Sequence, residues 1–483
     1  MKVILSIDQG TTSSRTCVFT PAGELLHAAQ EEFPQIYPAD GWVEHDPEAI
    51  WETVRSTLDD AIRFCRRNDH EAVGIGITNQ RETTLVWDRE TGECLYPAIV
   101  WQDRRTAETC RKLKPREDEV RAKTGLLMDP YFSATKIAWI LDHVEGARER
   151  ASAGELAFGT VDSFLVWRLT GGKVHATDAT NASRTNLYDI HAGRWDDELC
   201  EIFGVPQAGL PEVRDCAADY GADTVSNLPI LGVAGDQQAA LIGQTGFSEG
   251  DIKSTYGTGC FVILNTGERV VESKSRLLGT VAYQLGGKPT YALEGSIFIA
   301  GAAVQWLRDG LGLIESAAET EVLMADADPD SRLVLVPAFT GLGAPYWDPD
   351  ARGAVFGITR ATGRAEFAQA TVESVALQTA DLFAAMSRDG VEPSELFVDG
   401  GMSANNAFCQ LLSDLLDMEV HRPEVLETTA LGAAYLAGLQ AGLYKSLTDI
   451  PHEIDRSWSP AMEADMRERK LLRWSDAVEK VLT

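Results

Sequence analysis

The chain has 483 residues, 44% of them apolar and 24% charged, a globular composition long enough for two or more large domains at the usual ~100–200 residues each. Asp and Glu number 73 against 43 Lys and Arg, and the net charge of −30 excludes a general binder of nucleic acid or of anionic membranes. An anionic ligand would have to be met by local positive groups, and the acidity itself fits plain solubility or a salt-rich cytoplasm equally.

The first apolar run reaches Asp8 too soon for the core of a signal peptide, and no stretch approaches the roughly 18 apolar residues of a membrane span. The cysteines are scattered without a CxxC pair, which excludes a disulfide framework or a zinc site of the common spacings. A cytoplasmic protein is expected.

Residues 3–7 read as a strand, 8–14 as a polar turn rich in Gly, Thr and Ser, and 15–20 as a second strand. Such a tip can cradle phosphate, because Gly10 lets backbone N–H groups approach and the hydroxyls donate. Asp8 would hold a magnesium ion and Arg15 would add a donor to phosphate oxygens; an ordinary polar hairpin has the same appearance. A helix then begins at Asp46 as N-cap with Pro47 in its first turn, and Ile50, Val54, Leu58 and Ile62 share one face. Residues 72–77 form a buried strand that ends in a polar loop, where Arg81 and Glu82 either face solvent or offer a polyol both a donor and acceptors. Trp101 and, much later, Phe261 would cover the carbon face of such a ligand or belong to the core. Residues 129–136 carry Tyr131 and Lys136 into an apolar helix.

Residues 233–240 run from an apolar strand through Gly235 and Asp236 into a helix of small residues. Phosphoryl transfer to an alcohol needs a carboxylate that orients the hydroxyl and takes its proton, and Asp236 fills that role in one reading and caps the helix in the other. The stretch 252–264 then repeats the order strand, Gly/Thr turn, strand, followed by a long helix over 364–386, a strand over 396–398 and the loop 399–405, whose helix start would turn backbone amides toward a nucleotide. Two halves of one plan result, 1–245 and 246–483, with 244–251 as the hinge. No GxxxxGK[ST] occurs, so the phosphate site is not a Walker loop.

In their order and spacing the stretches 8–15, 79–84, 101–105, 129–136, 235–240, 256–261 and 399–406 resemble the glycerol kinases of the FGGY carbohydrate kinase family, from Val3 to about Tyr444. The resemblance implies an α/β fold of two actin-like, ribonuclease-H-like ATPase domains flanking a central cleft. It implies ATP and Mg2+ as cofactors and transfer of the γ-phosphate to glycerol, giving sn-glycerol 3-phosphate. Carried over by motif, glycerol would touch Arg81, Glu82, Trp101, Tyr131, Asp236, Gln237 and Phe261. ATP would touch Thr12, Ser13, Ser14, Arg15, Thr258, Gly301, Gln305, Gly401 and Asn405. Asp8 and Asp236 would be the magnesium carboxylates and Asp236 the general base. The first half would carry the acceptor and the second the nucleotide, in a homo-oligomer, dimer or tetramer. A different polyol or a ketose, such as erythritol or xylulose, is the alternative acceptor; an ATP-gated binding module is the reading from fold alone. Residues 221–227 depart from the Gly-Lys-Gly-Gly loop with which some bacterial members bind fructose 1,6-bisphosphate, and the helix at 462–481 differs from the segment that docks a phosphotransferase protein in enteric relatives. Neither regulator is expected.

Overall fold

A computed structural model describes residues 1–348 and 350–483. In the first half, β1 (Lys2–Gln9) and β2 (Ser13–Phe19) form the expected hairpin, with Asp8 directly opposite Arg15. β3 (Leu25–Glu32) continues antiparallel on β2. Helix α1 (Pro47–Arg67) starts where the sequence predicts: the Asp46 carboxylate accepts the Glu48 N–H at 2.9 Å, and Pro47 sits where a helix has no use for an N–H. Its face of Ile50, Val54 and Leu58 is wholly buried against Val3, Leu5 and Ile7 of β1.

β4 (Glu71–Asn79) returns parallel to β1, the geometry that a crossover helix permits. After α2 (Ser133–His143) comes β5 (Ile230–Gly235), parallel to β4, so that the sheet reads β5-β4-β1-β2-β3. Between these strands the chain builds a second, four-stranded sheet from Glu44–His45, Ala98–Ile99, Thr84–Asp88 and Leu156–Thr160. Most of the polar run at 101–105 anchors this sheet. Asp103 accepts the Val43 N–H at 2.6 Å, and Arg105 pairs with Asp103 and Glu44, both at 2.8 Å, while lying 3.9 Å over the Trp42 ring. What the run sends toward the cleft is Trp101.

Helix α3 (Asp236–Gly243) leads through the expected hinge into β6 (Asp251–Tyr256), β7 (Cys260–Gly267), β8 (Leu278–Leu285) and β9 (Lys288–Ile297). Then follow the one-turn α4 (Gly301–Gln305), the long α5 (Arg364–Arg388), β10 (Glu395–Asp399), α6 (Asn406–Leu416), β11 (Val420–Pro423), α7 (Thr428–Gln440), β12 (Ile454–Trp458) and α8 (Ala464–Glu479). The sheet reads β8-β9-β7-β6-β10-β11-β12. Its inner strands β11-β10-β6-β7-β9 reproduce the first sheet in order and direction, which is the duplication the sequence announces. The outer strands β8 and β12 are additions.

One element leaves its own half. Helix α7 packs against α3, β4 and β5 of the first. The contact is backbone to backbone: a Cβ placed on Gly432 would lie 1.7 Å from the Ala239 carbonyl oxygen, and one on Gly243 2.0 Å from that of Thr428. Beside this crossing, Asp399 at the end of β10 accepts from Gln244 Nε2 and Thr428 Oγ1, both at 2.5 Å. That carboxylate joins the ends of two helices.

Asp162, in the first turn of the helix Val161–Leu169, is fully buried and accepts from Thr160 and Thr177 hydroxyls, both at 2.6 Å. Burial, with the Asp178 charge adding to it, pushes its carboxyl from 3.8 to about 7. A folded-state value above the unfolded one means that the stability this group contributes is whole below about pH 4 and is lost as pH rises through about 7. Asp162→Asn is therefore expected to gain melting temperature on the parent as the buffer goes from about pH 5 to about pH 8. A difference between the two melts that stays flat over that window would refute the assignment.

Candidate active site

The carboxyl ends of β1, β4 and β5 open on one cleft, as they do in open α/β sheets. β5 delivers Asp236 there. The N-cap of α3 is Gly235 and makes no side-chain cap bond; the Asp236 carboxylate takes the adjacent Gln237 N–H at 2.7 Å and the Arg81 Nε at 3.0 Å, with a third of its side chain exposed. Asp236 thus satisfies one first-turn amide of α3 and also keeps part of its carboxylate open, partnered by Arg81. Gly235 is what lets Arg81 reach it, since a Cβ there would stand 2.7 Å from Arg81 Cδ.

Arg81 and Glu82 follow β4 and are both buried, contrary to the solvent-facing alternative. The Thr83 N–H donates to the Arg81 carbonyl at 2.7 Å, a three-residue turn that holds Glu82 at φ 59°. A non-glycine residue there carries about 1–3 kcal/mol of strain, which the surrounding bonds must offset. They do so through two residues the sequence reading did not single out. Arg184 donates Nε to Glu82 at 2.6 Å and Nη2 to Glu294 of β9 at 3.1 Å, and Arg81 donates Nη2 to the same Glu294 oxygen at 3.0 Å. Arg81, Glu294, Arg184 and Glu82 therefore alternate in sign around a buried ring, whose loosest side is Arg81 Nε to Glu82 at 4.0 Å. Burial opposes the charge on Arg81, yet Glu294 and Glu82 hold its pKa well above the usual value. Burial alone would raise Glu294, but Arg184 and Arg81 keep it below its ordinary range, whereas at Glu82 burial outweighs both arginines and the carboxyl is raised.

Tyr131 and Phe132 lie under the Arg184 guanidinium at 5.6 and 5.4 Å. The Trp101 ring meets Tyr131 edge-on at 5.7 Å and Phe261 of β7 at 6.2 Å, closing an aromatic wall from both halves. Lys136 is buried at the foot of α2 and donates to the Tyr131 and Glu82 carbonyls at 2.6 and 3.4 Å; burial lowers its pKa to about 8. All the residues expected to touch the acceptor are thus brought together, and Phe261 and Glu294 show that the second half contributes to this side.

The hairpin tip faces the same cleft, tied to it by the Trp101 Nε1–H donated to Thr11 Oγ1 at 3.0 Å. Thr12 is exposed there and Ser13 half-buried, but the Ser14 hydroxyl turns inward to Thr53 at 2.8 Å and offers the cleft nothing. Arg15 is ion-paired with Glu427, next to the start of α7, and donates to Gln30 at 2.9 Å. Asp8, partly buried, has its carboxyl pushed up to about 7 by burial, against Arg15 and with Asp236 and Glu427 adding to it.

In the second half the turn after β6 exposes Thr258 and packs on the start of α4, where the Thr258 carbonyl accepts from Ala300 and Ala302 and that of Gly257 from Gly301, at 2.9–3.0 Å. Gly400, at φ 85°, lies so close that a Cβ would be 2.5 Å from the Tyr256 carbonyl, which sets Gly401 beside the turn. Gln305 is exposed at the end of α4. Asn405 is committed: its Oδ1 caps α6 through Phe408 N–H at 3.0 Å, and its Nδ2 donates to Thr320 at 3.1 Å.

Residues 3–243 match the FGGY family of carbohydrate kinases, N-terminal domain, and residues 252–441 the C-terminal domain of that family. The chain is 58% identical over 489 residues to the glycerol kinase of Alteromonas mediterranea, covering 99% of both. It is 57% identical over 494 residues to that of Roseobacter denitrificans, covering 100% of both. It is similar to the structure of Plasmodium falciparum glycerol kinase with ADP, at a TM-score of 0.96 and 36% identity over 100% of this chain and 99% of that one. A ligand-bound xylulose kinase from Lactobacillus acidophilus has the same fold, at a TM-score of 0.89 and 21% identity over 99% and 98%.

Proposed function

This chain belongs to the FGGY family of carbohydrate kinases, and on that premise we propose that it transfers the γ-phosphate of ATP to glycerol, giving sn-glycerol 3-phosphate and ADP. The observation that carries the reading is the Asp236 carboxylate, a third exposed and bound by Arg81 Nε at 3.0 Å as well as by the Gln237 N–H. A carboxylate so placed accepts the proton of the attacking hydroxyl as its oxygen bonds to phosphorus. Arg81 and Gln237 donate to glycerol oxygens, Glu82 accepts from a hydroxyl, and the rings of Trp101, Tyr131 and Phe261 face its carbons.

On the donor side Thr12, Ser13, Arg15, Thr258, Gly301, Gln305, Gly401 and the backbone of Ser14 and Asn405 receive ATP. Arg15 exchanges Glu427 for phosphate as it does so. Asp8 and Asp236 fit a magnesium ion, because two carboxylates near each other, one of them raised by burial, call for a cation. Among the described residues no group of three or more such ligands stands ready, in keeping with an ion whose shell is completed by phosphate oxygens and water. When bound, the ion neutralises charge on the phosphates. Closure of 1–245 on 246–483 excludes water, so that ATP is not hydrolysed.

We place the protein in the cytoplasm as a homo-oligomer; no described helix is long and apolar enough to cross a membrane. Fructose 1,6-bisphosphate is not part of the proposal, since the loop at 221–227 is organised around Asp223, a buried carboxylate paired with Arg55 at 2.9 Å. The test is ADP release with magnesium-ATP across glycerol, erythritol, xylulose and no acceptor. Release with glycerol and formation of sn-glycerol 3-phosphate is the expected result; response to another acceptor and silence with glycerol overturns it.

A further inference from the structure

Lys253 lies inside β6, its side chain wholly removed from water. A buried ammonium is costly, and a methionine would fill the same slot without that cost. Among the described residues its Nζ makes one hydrogen bond, to Oε1 of Gln237 at 2.6 Å. The charged groups around it are Asp399, Asp236 and Arg81, with the Cys260 thiol nearby, and burial lowers its pKa.

The chemistry of the pair fixes more than a distance. An ammonium has donors and no acceptor, so Gln237 must turn its carbonyl oxygen to Lys253 and its NH2 group the other way. Gln237 is half-buried on the first turn of α3, next to Asp236, whose carboxylate takes the Gln237 backbone N–H at 2.7 Å. The two neighbours then present opposite polarities to one ligand: a carboxylate that accepts, and an amide that donates.

We propose that Lys253 is a positioning residue for the acceptor: by holding Oε1 of Gln237 it keeps the amide NH2 pointed at an acceptor oxygen while Asp236 faces the hydroxyl proton. The inference rests on the acceptor site proposed above. It also joins the halves, since Lys253 stands on the strand that ends in the Tyr256–Gly259 turn and Gln237 on the helix that begins at the base. Without the lysine the amide is free to flip and to offer its oxygen to a hydroxyl whose proton is already given to Asp236, a repulsive contact.

Steady-state kinetics of Lys253→Met, Gln237→Ala and the double variant decide the matter. Loss of one oriented hydrogen bond is expected to raise the acceptor KM by about tenfold in each single variant, with the KM for ATP within about twofold of the parent. Because both act through one amide, the double variant is expected to be no worse than Gln237→Ala alone. An unchanged acceptor KM in Lys253→Met, or additive losses in the double variant, overturns the proposal. Should Lys253→Met not fold, Gln237→Glu supplies the second arm. It keeps a partner for the ammonium but has no NH2, so its acceptor KM should rise as in Gln237→Ala, and a parental value refutes the role assigned to the amide. Failure of the parent protein to release ADP with glycerol is a separate result, against the proposed reaction rather than against Lys253.

Discussion

Asp236→Asn is expected to lower turnover with glycerol by about 10²–10⁴-fold, the range of a general-base contribution, while glycerol affinity changes little. The asymmetry follows from the bonds that survive. An asparagine Oδ1 still accepts the Gln237 N–H and the Arg81 Nε–H that the carboxylate holds at 2.7 and 3.0 Å, so the acceptor loop keeps its shape. What is lost is the ability to take a proton. The measurement is kcat beside a calorimetric isotherm for glycerol; turnover within about threefold of the parent would remove Asp236 from the chemistry.

The second large effect concerns a residue with no assigned contact to ATP. Arg184→Met is expected to cost about 3–5 kcal/mol of stability, because it leaves Glu82 and Glu294 buried with only Arg81 between them. The consequence reaches the ligand. Burial already raises the Glu82 carboxyl, and loss of Arg184 shifts it further toward the neutral form, a weaker acceptor for a glycerol hydroxyl; the acceptor KM should rise well beyond the fall in kcat. Arg184→Lys is expected to recover only part of the loss, since a point charge cannot serve two carboxylates in the planar fashion of a guanidinium. A melting temperature for Arg184→Met equal to that of the parent would refute the account.

The duplication was legible because it is written in local signals that recur: strand periodicity, a Gly/Thr turn, a long helix and a second buried strand, twice. The caps of α1 and the start of α3 follow from single residues such as Asp46, Pro47 and Gly235. The departure of α7 from its own half was not legible, because its small residues say only that something approaches closely. Of the candidate site, the residues at strand ends could be found from their place after an apolar run. Glu294 and Arg184 were not found because each is a charge whose partner lies far along the chain, Glu294 standing 110 positions from Arg184 and 213 from Arg81. Lys253, 16 positions from Gln237, was missed because its strand mixes polar and apolar residues and does not announce that it is buried. A signal was present all the same. Glu294 follows the apolar run Tyr291-Ala292-Leu293 inside β9, and a charge in such a position requires a partner. Ser14 and Asn405 are the reverse case, polar residues beside the cleft whose side chains serve the scaffold and leave only their backbone to a ligand.

The place where α3 and α7 cross has a mechanical consequence. With Gly243 and Gly432 at the contact the two backbones touch, and around that point Ala239, Leu241 and Ile242 of α3 share one buried apolar cluster with Ala430, Leu431 and Ala434 of α7. A helix seated so closely, and packed on β4 and β5 as well, moves with the first half as one piece. Displacement of the second half must then be taken up where the chain enters and leaves α7, and at ties such as Lys253 to Gln237 that join the halves elsewhere.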